Sequence, residues 1–460
     1  MTIVQFVDAI SSSPTVRLNL NARPWKVLGK QTQVAQPELR YATSQTLLTD
    51  GSVTTAGAYE DRVISLALEL VNGSTSDVQN LMRELDRPGN ILKWQPTGAT
   101  HPVFFRTKRC GPEAIEDVLP LQDLTHITVD LIAEPFAYGL KETIATATVN
   151  NDPAAVSNGC FFDIDSTDLL GDTETPAIFK FAFANVEDKG PTVIAVRRRG
   201  TPSSAPFVLQ AELMTGGTDT TIQANDAVMS GSGQNYMRCT FSTVAATMTT
   251  RLTSSTFPSS ASVDARGRYA VYLRCRKSSS GADINVQLGQ STGSTSVDHD
   301  EVALPTTTDR RWKFLGVAQI PLGADPVYDG SGTELAARGN VFTISAQRTS
   351  GSGNLDFDVL LFIPYEDKPC VAYWPTSSGP TYAVVDGVRM QAYNLGASGE
   401  IYPREPIKVT GQFPYLSPGV DNRVYVLLNG GGLVSDTKTD TVDVTVEYYP
   451  RYRHVWRADT

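Results

Sequence analysis

The stretch Ile64-Ser65-Leu66-Ala67-Leu68-Glu69-Leu70 decides the fold class. Its large apolar side chains recur at every second position, with small or charged residues between them. Successive side chains of an extended chain point to opposite faces, so this is a strand with one buried face; a helix would bring them round at the period of its turn. Working outward, the same alternation returns at Ile127, Val129, Leu131 and Ala133 against His126, Thr128 and Asp130. It returns again at Ala177, Phe179, Phe181 and Phe183, and at Val442, Val444, Val446 and Tyr448. One convincing helix stands between the first two strands. Ser74, Thr75 and Ser76 are N-cap candidates, with Ser76 and Gln79 spaced as a capping box. Val78, Leu81, Met82 and Leu85 then form a stripe along one helical face, and Pro88-Gly89 stops it. The expectation is an all-β protein with one short α-helix in its N-terminal domain, built from multiple antiparallel β-sandwiches or jelly rolls.

The chain is 460 residues long, more than one ordinary core serves, so several domains are expected. Charged residues make up only 19%, below the usual share of soluble domains, and Ser, Thr and Gly take their place. A net charge of -10 argues against nucleic acid as a partner. The start, MTIVQFVDAISSS, lacks a basic leader and Asp8 interrupts its apolar run, which makes it a poor signal peptide; no window is apolar enough to predict membrane insertion. Synthesis in a host cytoplasm is the expectation. The cysteines (Cys110, Cys160, Cys239, Cys275, Cys370) are far apart, without zinc spacing, and read as buried, reduced thiols.

Composition divides the chain. Residues 1–140 combine the strands above with the helix and with the hairpin-like NILKWQPTGATHPVFFRTKR. Residues 203–368 turn sharply towards Ser, Thr and Gly, yet strands stay legible there: Tyr269, Val271, Leu273 and Cys275; Ile284, Val286 and Leu288; Trp312 and Phe314 around Lys313; Phe342, Ile344 and Ala346. Leu355, Phe357, Val359, Leu361 and Ile363 form the longest alternation, opposite Asp356 and Asp358, which read as an outer surface. This pattern predicts a self-contained jelly roll. The flanking stretches, 141–202 and 369–460, each hold too few strands for a core. Together they predict one split, galectin-like sandwich interrupted by the Ser/Thr-rich unit. TYAVVDGVRM reads as a hairpin turning at Asp386-Gly387, and VYVLLNGGGLV as another around Asn429.

Several segments then resemble a known family. The early strand, the helix DVQNLMREL, the hairpin NILKWQPTGATHPVFF and the closing strand HITVDLIAEPFAYG are similar to the belt domain of siphophage distal tail proteins, the Dit-like minor tail proteins of actinobacterial-phage type. GQFPYLSPGVDNRVYVL resembles a hairpin near the end of such proteins, so the likeness covers roughly 1–200 and 370–460. The insert departs from the minimal family pattern: RRWKFLGVAQIPL resembles the Trp-bearing strand of a carbohydrate-binding-module jelly roll. The resemblance implies a structural virion protein of a long, non-contractile tail tip, without chemistry. Belt domains associate side by side in a ring, typically a homohexamer, joining the tail tube to the tip hub. The implied partners are other copies of the chain, the tail tube protein, the tape measure protein, the tip hub protein and a host cell-wall glycan. The rival reading is a receptor-binding, adhesin-type protein that recognises sugar without forming a ring. A glycan-degrading enzyme comes third.

Candidate sites are few. His101, His126 and His454 read as surface or structural residues, and no nucleophile elbow, zinc-protease or phosphate-loop motif occurs in a useful context. No catalytic residue and no organic cofactor is expected. Asp163, Asp165 and Asp168 offer hard oxygen ligands that suit a structural calcium, without the spacing of an EF-hand; Asp298-His299-Asp300-Glu301 is a second candidate chelator. Tyr272 and Tyr328 are the candidates for stacking on sugar, whereas Trp312 reads as core. Arg197, Arg198 and Arg199 could dock an acidic protein neighbour or simply protect an edge strand.

Overall fold

A computed structural model describes residues 2–45, 52–108, 110–119, 124–150, 160–182, 192–198, 207–211, 214, 219–224, 235–241, 247–252, 267–291, 296–304, 311–320, 341–365, 369–373, 382–396, 398–401, 407–428 and 441–454. It is all-β, with antiparallel sheets and one α-helix. The chain forms two compact units. The first comprises Met1–Glu142, Leu169–Thr175 and Tyr448–Thr460; the second comprises Thr143–Asp168 and Pro176–Glu447.

In the first unit the strand Arg62–Val71 pairs antiparallel with Leu124–Ala133 along its whole length. Ile64, Leu66, Leu68 and Leu70 all face the core, together with Ile127, Val129 and Leu131. Burying each such side chain stabilises by about 1.5–3 kcal/mol, so alternation alone dictates which face turns inward. The hairpin Asn90–Gln95 with Val103–Thr107 and the first strand, Ile3–Val7, extend the same sheet. The helix spans Thr75–Leu85 and buries Leu81 and Leu85. Its N-cap is Ser74 rather than Ser76: the Asp77 carboxylate accepts both the Ser74 backbone N–H at 2.8 Å and the Ser74 hydroxyl at 2.6 Å. A shorter acidic side chain at the third helical position closes the box earlier than the Ser76/Gln79 spacing suggests.

The C-terminal segment returns to this unit. Arg451–Tyr452 pairs with Ala137–Tyr138, Tyr452 enters the core, and the Thr175 hydroxyl donates to the Tyr449 carbonyl at 2.6 Å. Arg62, fully buried, donates to the carbonyls of Pro135 and Arg453 and lies over the Phe105 ring. Burial lowers this guanidinium's pKa to about 10. The ribbon Leu39–Gln45 with Ser52–Tyr59 forms a two-stranded sheet of its own.

Among the described residues the second unit contains four sheets. In one, the order is Glu142–Asn150, Thr441–Tyr448, Thr175–Ala182, Tyr382–Asp386, Gln391–Leu395. In the next it is Phe161–Ile164, Asn422–Leu428, Thr192–Arg198, Cys370–Tyr373, Lys408–Gly411. Each mixes strands from before residue 199 with strands from after residue 369. The Tyr382 hairpin turns more widely than Asp386-Gly387 alone: its second strand begins at Gln391, and Asp386 Oδ1 accepts the N–H groups of Val388 and Arg389. The second strand suggested around Asn429 lies outside the described residues.

The remaining two sheets belong to 203–368. One contains Asn235–Cys239, Leu355–Pro364, Gly267–Lys277 and Arg311–Ile320; the other contains Thr247–Leu252, Val341–Ser350 and Asp283–Ser291. Tyr269, Val271, Leu273, Cys275, Ile284, Val286, Leu288, Phe342, Ile344 and Ala346 share one core between them. The long alternation of 355–363 does not keep one face. The register with Gly267–Lys277 slips between Arg274 and Cys275, leaving Asp358 as an extra residue. Leu355, Phe357, Leu360 and Phe362 therefore face the inner core, while Leu361 and Ile363 point the other way. A bulge of one residue exchanges the faces beyond it.

Candidate functional site

The outward face of the Gly267–Lys277 sheet is covered rather than open. Ala270, Tyr272, Trp312, Leu361 and Ile363 pack with Cys160, Val193, Ala195, Tyr425 and Leu427 of the split sandwich. Thr192–Ala195 is buried at every position, as expected of a strand in a middle layer. Tyr272 is 3% exposed, so it cannot stack on a sugar; its alternation correctly excluded the jelly-roll core but could not reveal the second covering layer. Trp312 is buried as expected, although in this layer and not inside the jelly roll. Tyr328 lies outside the described residues. Among the described residues an exposed aromatic on this sheet is Phe314, 46% accessible beside Tyr272 at a ring separation of 5.5 Å. Sequence placed Phe314 and Trp312 on one face, but the reach of the cover separates them.

The same sheet carries a buried charged row. Asp356 accepts from Arg238 at 2.7 and 2.8 Å and from Arg276 at 3.0 Å, and Asp358 accepts from Arg274 at 3.3 Å. Asp356, Asp358 and Arg274 are almost wholly inaccessible, which corrects their reading as an outer surface. Such carboxylates are held as counter-ions, not opposed across a cleft as glycoside hydrolysis requires.

The other candidates disperse. Asp163 is engaged by Arg423 through bonds of 2.7 and 2.9 Å, and the same contact raises the guanidinium's pKa. Asp163, Asp165 and Asp168 do not converge: among the described residues no group of three or more His, Cys, Asp or Glu is placed to hold a metal ion. The calcium reading is corrected accordingly, because an arginine occupies the ligand oxygens of Asp163. The Asp298–Glu301 run is likewise dispersed: Glu301 accepts from Asn285 at 3.0 Å, and the His299 carbonyl accepts from Gln287 at 2.8 Å. Arg197 is buried within the chain and Arg198 is exposed, while Arg199 lies outside the described residues, so the run is not a continuous docking patch. Among the described residues the cysteines form no disulfide, and burial pushes the thiols of Cys275 and Cys370 up to about 12.

Two surfaces remain open to a partner. The first is the outer face of the Asp283–Ser291 sheet, where Asn285 pairs in register with Gln347, Gln287 with Ser345 and Gly289 with Thr343. These half-buried amides and hydroxyls alternate with the buried Ile284, Val286 and Leu288. The second is a cleft of about 410 Å³ in the first unit, lined by Thr2, Val27, Gly29, Thr32, Val34, Trp94, Pro96 and Thr97. Among the described residues no titratable side chain lines it. Trp94 is 8% exposed, and its indole N–H has no hydrogen-bond partner among the described residues. A second cleft is lined by Arg106, Lys108 and, among the described residues, one carboxylate, Glu134, where a pair would be needed for glycoside hydrolysis. No helix of the described residues is long and apolar enough to cross a membrane.

No protein family matches the chain, and no curated protein matches it. Among solved structures it is similar to the Dit protein of phage SPP1, described as a paradigm of the hub adsorption apparatus in phages infecting Gram-positive bacteria, at 9% identity and a TM-score of 0.35 over 98% of this chain and 99% of that one. It is similar to a chain of the phage P2 baseplate in its activated conformation with Ca, at 10% identity and a TM-score of 0.26 over 78% of this chain and 98% of that one. A carbohydrate-binding module, TmCBM61 in complex with β-1,4-galactotriose, covers 36% of this chain and 99% of its own at 11% identity and a TM-score of 0.19. At these scores the likenesses carry no argument about function.

Proposed function

We propose that the chain is a structural component of the tip of a long, non-contractile phage tail. In this reading the first unit associates with copies of itself in a ring between tail tube and tip hub, and the jelly roll offers a sheet face to host-surface glycan. The observation that carries the reading lies in the first unit. The segments that resemble a belt domain, namely the helix, the Asn90–Thr107 hairpin and the Leu124–Ala133 strand, close around one shared core. That unit also offers apolar surface for lateral contact: Val63 and Ile132 lie opposite each other in register and are exposed, as is Val16 at the start of the edge strand Val16–Asn19. A ring closed by heterologous contacts needs two different complementary faces on each copy. Mass photometry and negative-stain imaging of the purified chain test this. A closed oligomer of one defined copy number is expected, and a strictly monomeric chain removes the ring.

The glycan-binding part is favoured by Ser345 and Gln347, half-buried polar side chains on one sheet face beside the Asn285 and Gln287 amides that Glu301 and the His299 carbonyl hold in place, because donors and acceptors on a flat face suit sugar hydroxyls. A monomer that still binds host-wall polysaccharide supports the receptor-binding reading without a ring. The division into a split sandwich (141–202 with 369–460) and an inserted jelly roll (203–368) is part of the same proposal, and it is supported by the two sheets that combine strands from either side of the insert.

A further inference from the structure

The outer face of the Asp283–Ser291 sheet presents its polar atoms with one polarity. The Asn285 amide nitrogen donates to Glu301 Oε2 at 3.0 Å, and the Gln287 amide nitrogen donates to the His299 carbonyl at 2.8 Å. An ionised carboxylate and a backbone carbonyl only accept, which fixes the orientation of both amides. Their oxygens, Asn285 Oδ1 and Gln287 Oε1, are left as acceptors for a ligand. The segment that holds them is itself anchored, since the His299 N–H donates to the Leu288 carbonyl at 2.8 Å.

Gly289 continues the same row. A Cβ added there would meet Asp298 Oδ1 at 2.8 Å, so the bare glycine lets a carboxylate lie across the ladder. Asp298 stands opposite Gly289 on one side and Thr343 on the other. Arg251 follows Thr343 in register, three strand spacings or about 14 Å from Asp298. Asn285, Gln287 and Asp298 thus form a succession of acceptors, which selects a ligand that donates. None of these positions, nor Ser345 and Gln347 beside them, carries an aromatic ring. Stacking on a pyranose contributes nothing there, so hydrogen bonds and charge must hold the ligand. A cationic donor satisfies the Asp298 carboxylate, and a charge-assisted bond is about twice as strong as a neutral one. An anionic wall polymer is repelled from the same edge, where exposed Asp300 adds a second negative charge.

We infer that the ligand of this face is a glycan with free amino groups, its hydroxyls donating to Asn285 Oδ1 and Gln287 Oε1 and its ammonium to Asp298. The inference rests on the glycan-binding reading and names the chemistry of the sugar.

The test is isothermal titration calorimetry of the full chain with a glucosamine hexamer and with its N-acetylated counterpart, with and without a chelator. The amine hexamer is expected to bind about tenfold tighter. Asp298→Asn keeps the shape and removes the charge, and Gly289→Ala displaces the carboxylate; each is expected to bring the two hexamers to equal affinity. A net charge of -10 attracts a polycation anywhere on the chain. Glu113→Gln, at an exposed position of the first unit, makes the same one-unit change away from the face and is expected to leave the preference intact. A parent chain without the preference, a preference that survives Asp298→Asn, or one lost equally in Glu113→Gln overturns the inference. Binding abolished by the chelator overturns it too, because a metal ion then holds the sugar. Should Gly289→Ala fail to fold, Asp298→Asn on the surface decides the question. Where the inference fails but the parent chain is retained on host-wall polysaccharide, the glycan reading stands without the amine. A parent chain that is not retained and binds neither hexamer overturns both.

Discussion

At the scale of single residues, the most consequential groups are charges that the chain buries. Arg274 and Asp358 are both 2% accessible at the side chain and 3.3 Å apart. Removing one partner strands the other charge in low dielectric, whereas removing both leaves an apolar site. Arg274→Ala or Asp358→Ala alone is expected to cost about 3–5 kcal/mol in urea unfolding, and Arg274→Met with Asp358→Leu much less than the sum. Additive losses would show that the pair is not coupled. Nearby, burial holds His299 below its ordinary imidazole value of 6.5, against the opposing pull of Asp298 and Asp300. The unfolded chain therefore takes up the proton first as pH falls. Stability from the neutral ring is intact above about 6.5 and is lost as pH drops below that value towards the folded pKa. Thermal melts between pH 7 and pH 5 should be less steep in His299→Gln than in the parent. Gly316 packs against that ring with φ +146, and a Cβ there would meet His299 Nδ1 at 2.8 Å. Gly316→Ala is expected to destabilise by about 1–3 kcal/mol, through strain and overpacking together.

At the scale of elements, alternation and helical period were read correctly wherever one face is wet and the other dry. The strands at Ile64, Ile127, Phe179, Tyr269, Ile284 and Val442 lie where period two places them, and the helix stripe buries Leu81 and Leu85. Where a second layer covers the outer face, the same rule misleads. Tyr272 and Asp356 sit on the side that alternation assigns to solvent, but the Val193/Ala195 face covers Tyr272, and Asp356 is buried in its contacts with Arg238 and Arg276. Nothing local encodes such a cover, because it depends on residues far away in sequence, Val193 and Ala195 on one side and Tyr425 and Leu427 on the other. The one-residue slip at Asp358 is equally silent, since both Val359 and Leu360 are apolar and either parity reads as a strand. Candidate sites fared worse than elements for the same reason: the aspartates of 163–168 are adjacent in sequence, but Asp163 is turned to Arg423 on the neighbouring strand. The open polar sheet face is the element on which glycan binding now rests. Ser345→Ala with Gln347→Ala should leave the melting temperature nearly unchanged and abolish retention on a host-wall polysaccharide column. Undiminished retention would move the site elsewhere, with Phe314 the next residue to replace.

At the scale of the whole molecule, the open question is whether the jelly roll is a guest or a structural member. The strands that flank it in sequence are paired: Thr192–Arg198, before the insert, runs beside Cys370–Tyr373, after it, with Ile194 opposite Cys370. Closing a short loop there costs little, since loop entropy grows only slowly with length. Excision of 203–368 with a short Gly/Ser joint should therefore leave the split sandwich able to pair its strands. Excision also uncovers Val193, Ala195, Tyr425 and Leu427, which pack in one cluster with Ala270, Tyr272, Trp312, Leu361 and Ile363 of the insert. A contiguous apolar patch of this kind drives association. The simple deletion is thus expected to fold and then aggregate, whereas the same deletion carrying Val193→Thr, Tyr425→Thr and Leu427→Thr is expected to remain dispersed with a cooperative melt. If the simple deletion stays dispersed, the covering layer contributes little and the insert is held by its joints alone. If the polar version cannot fold at all, the insert is part of the sandwich's own core, and the split-domain proposal falls with it.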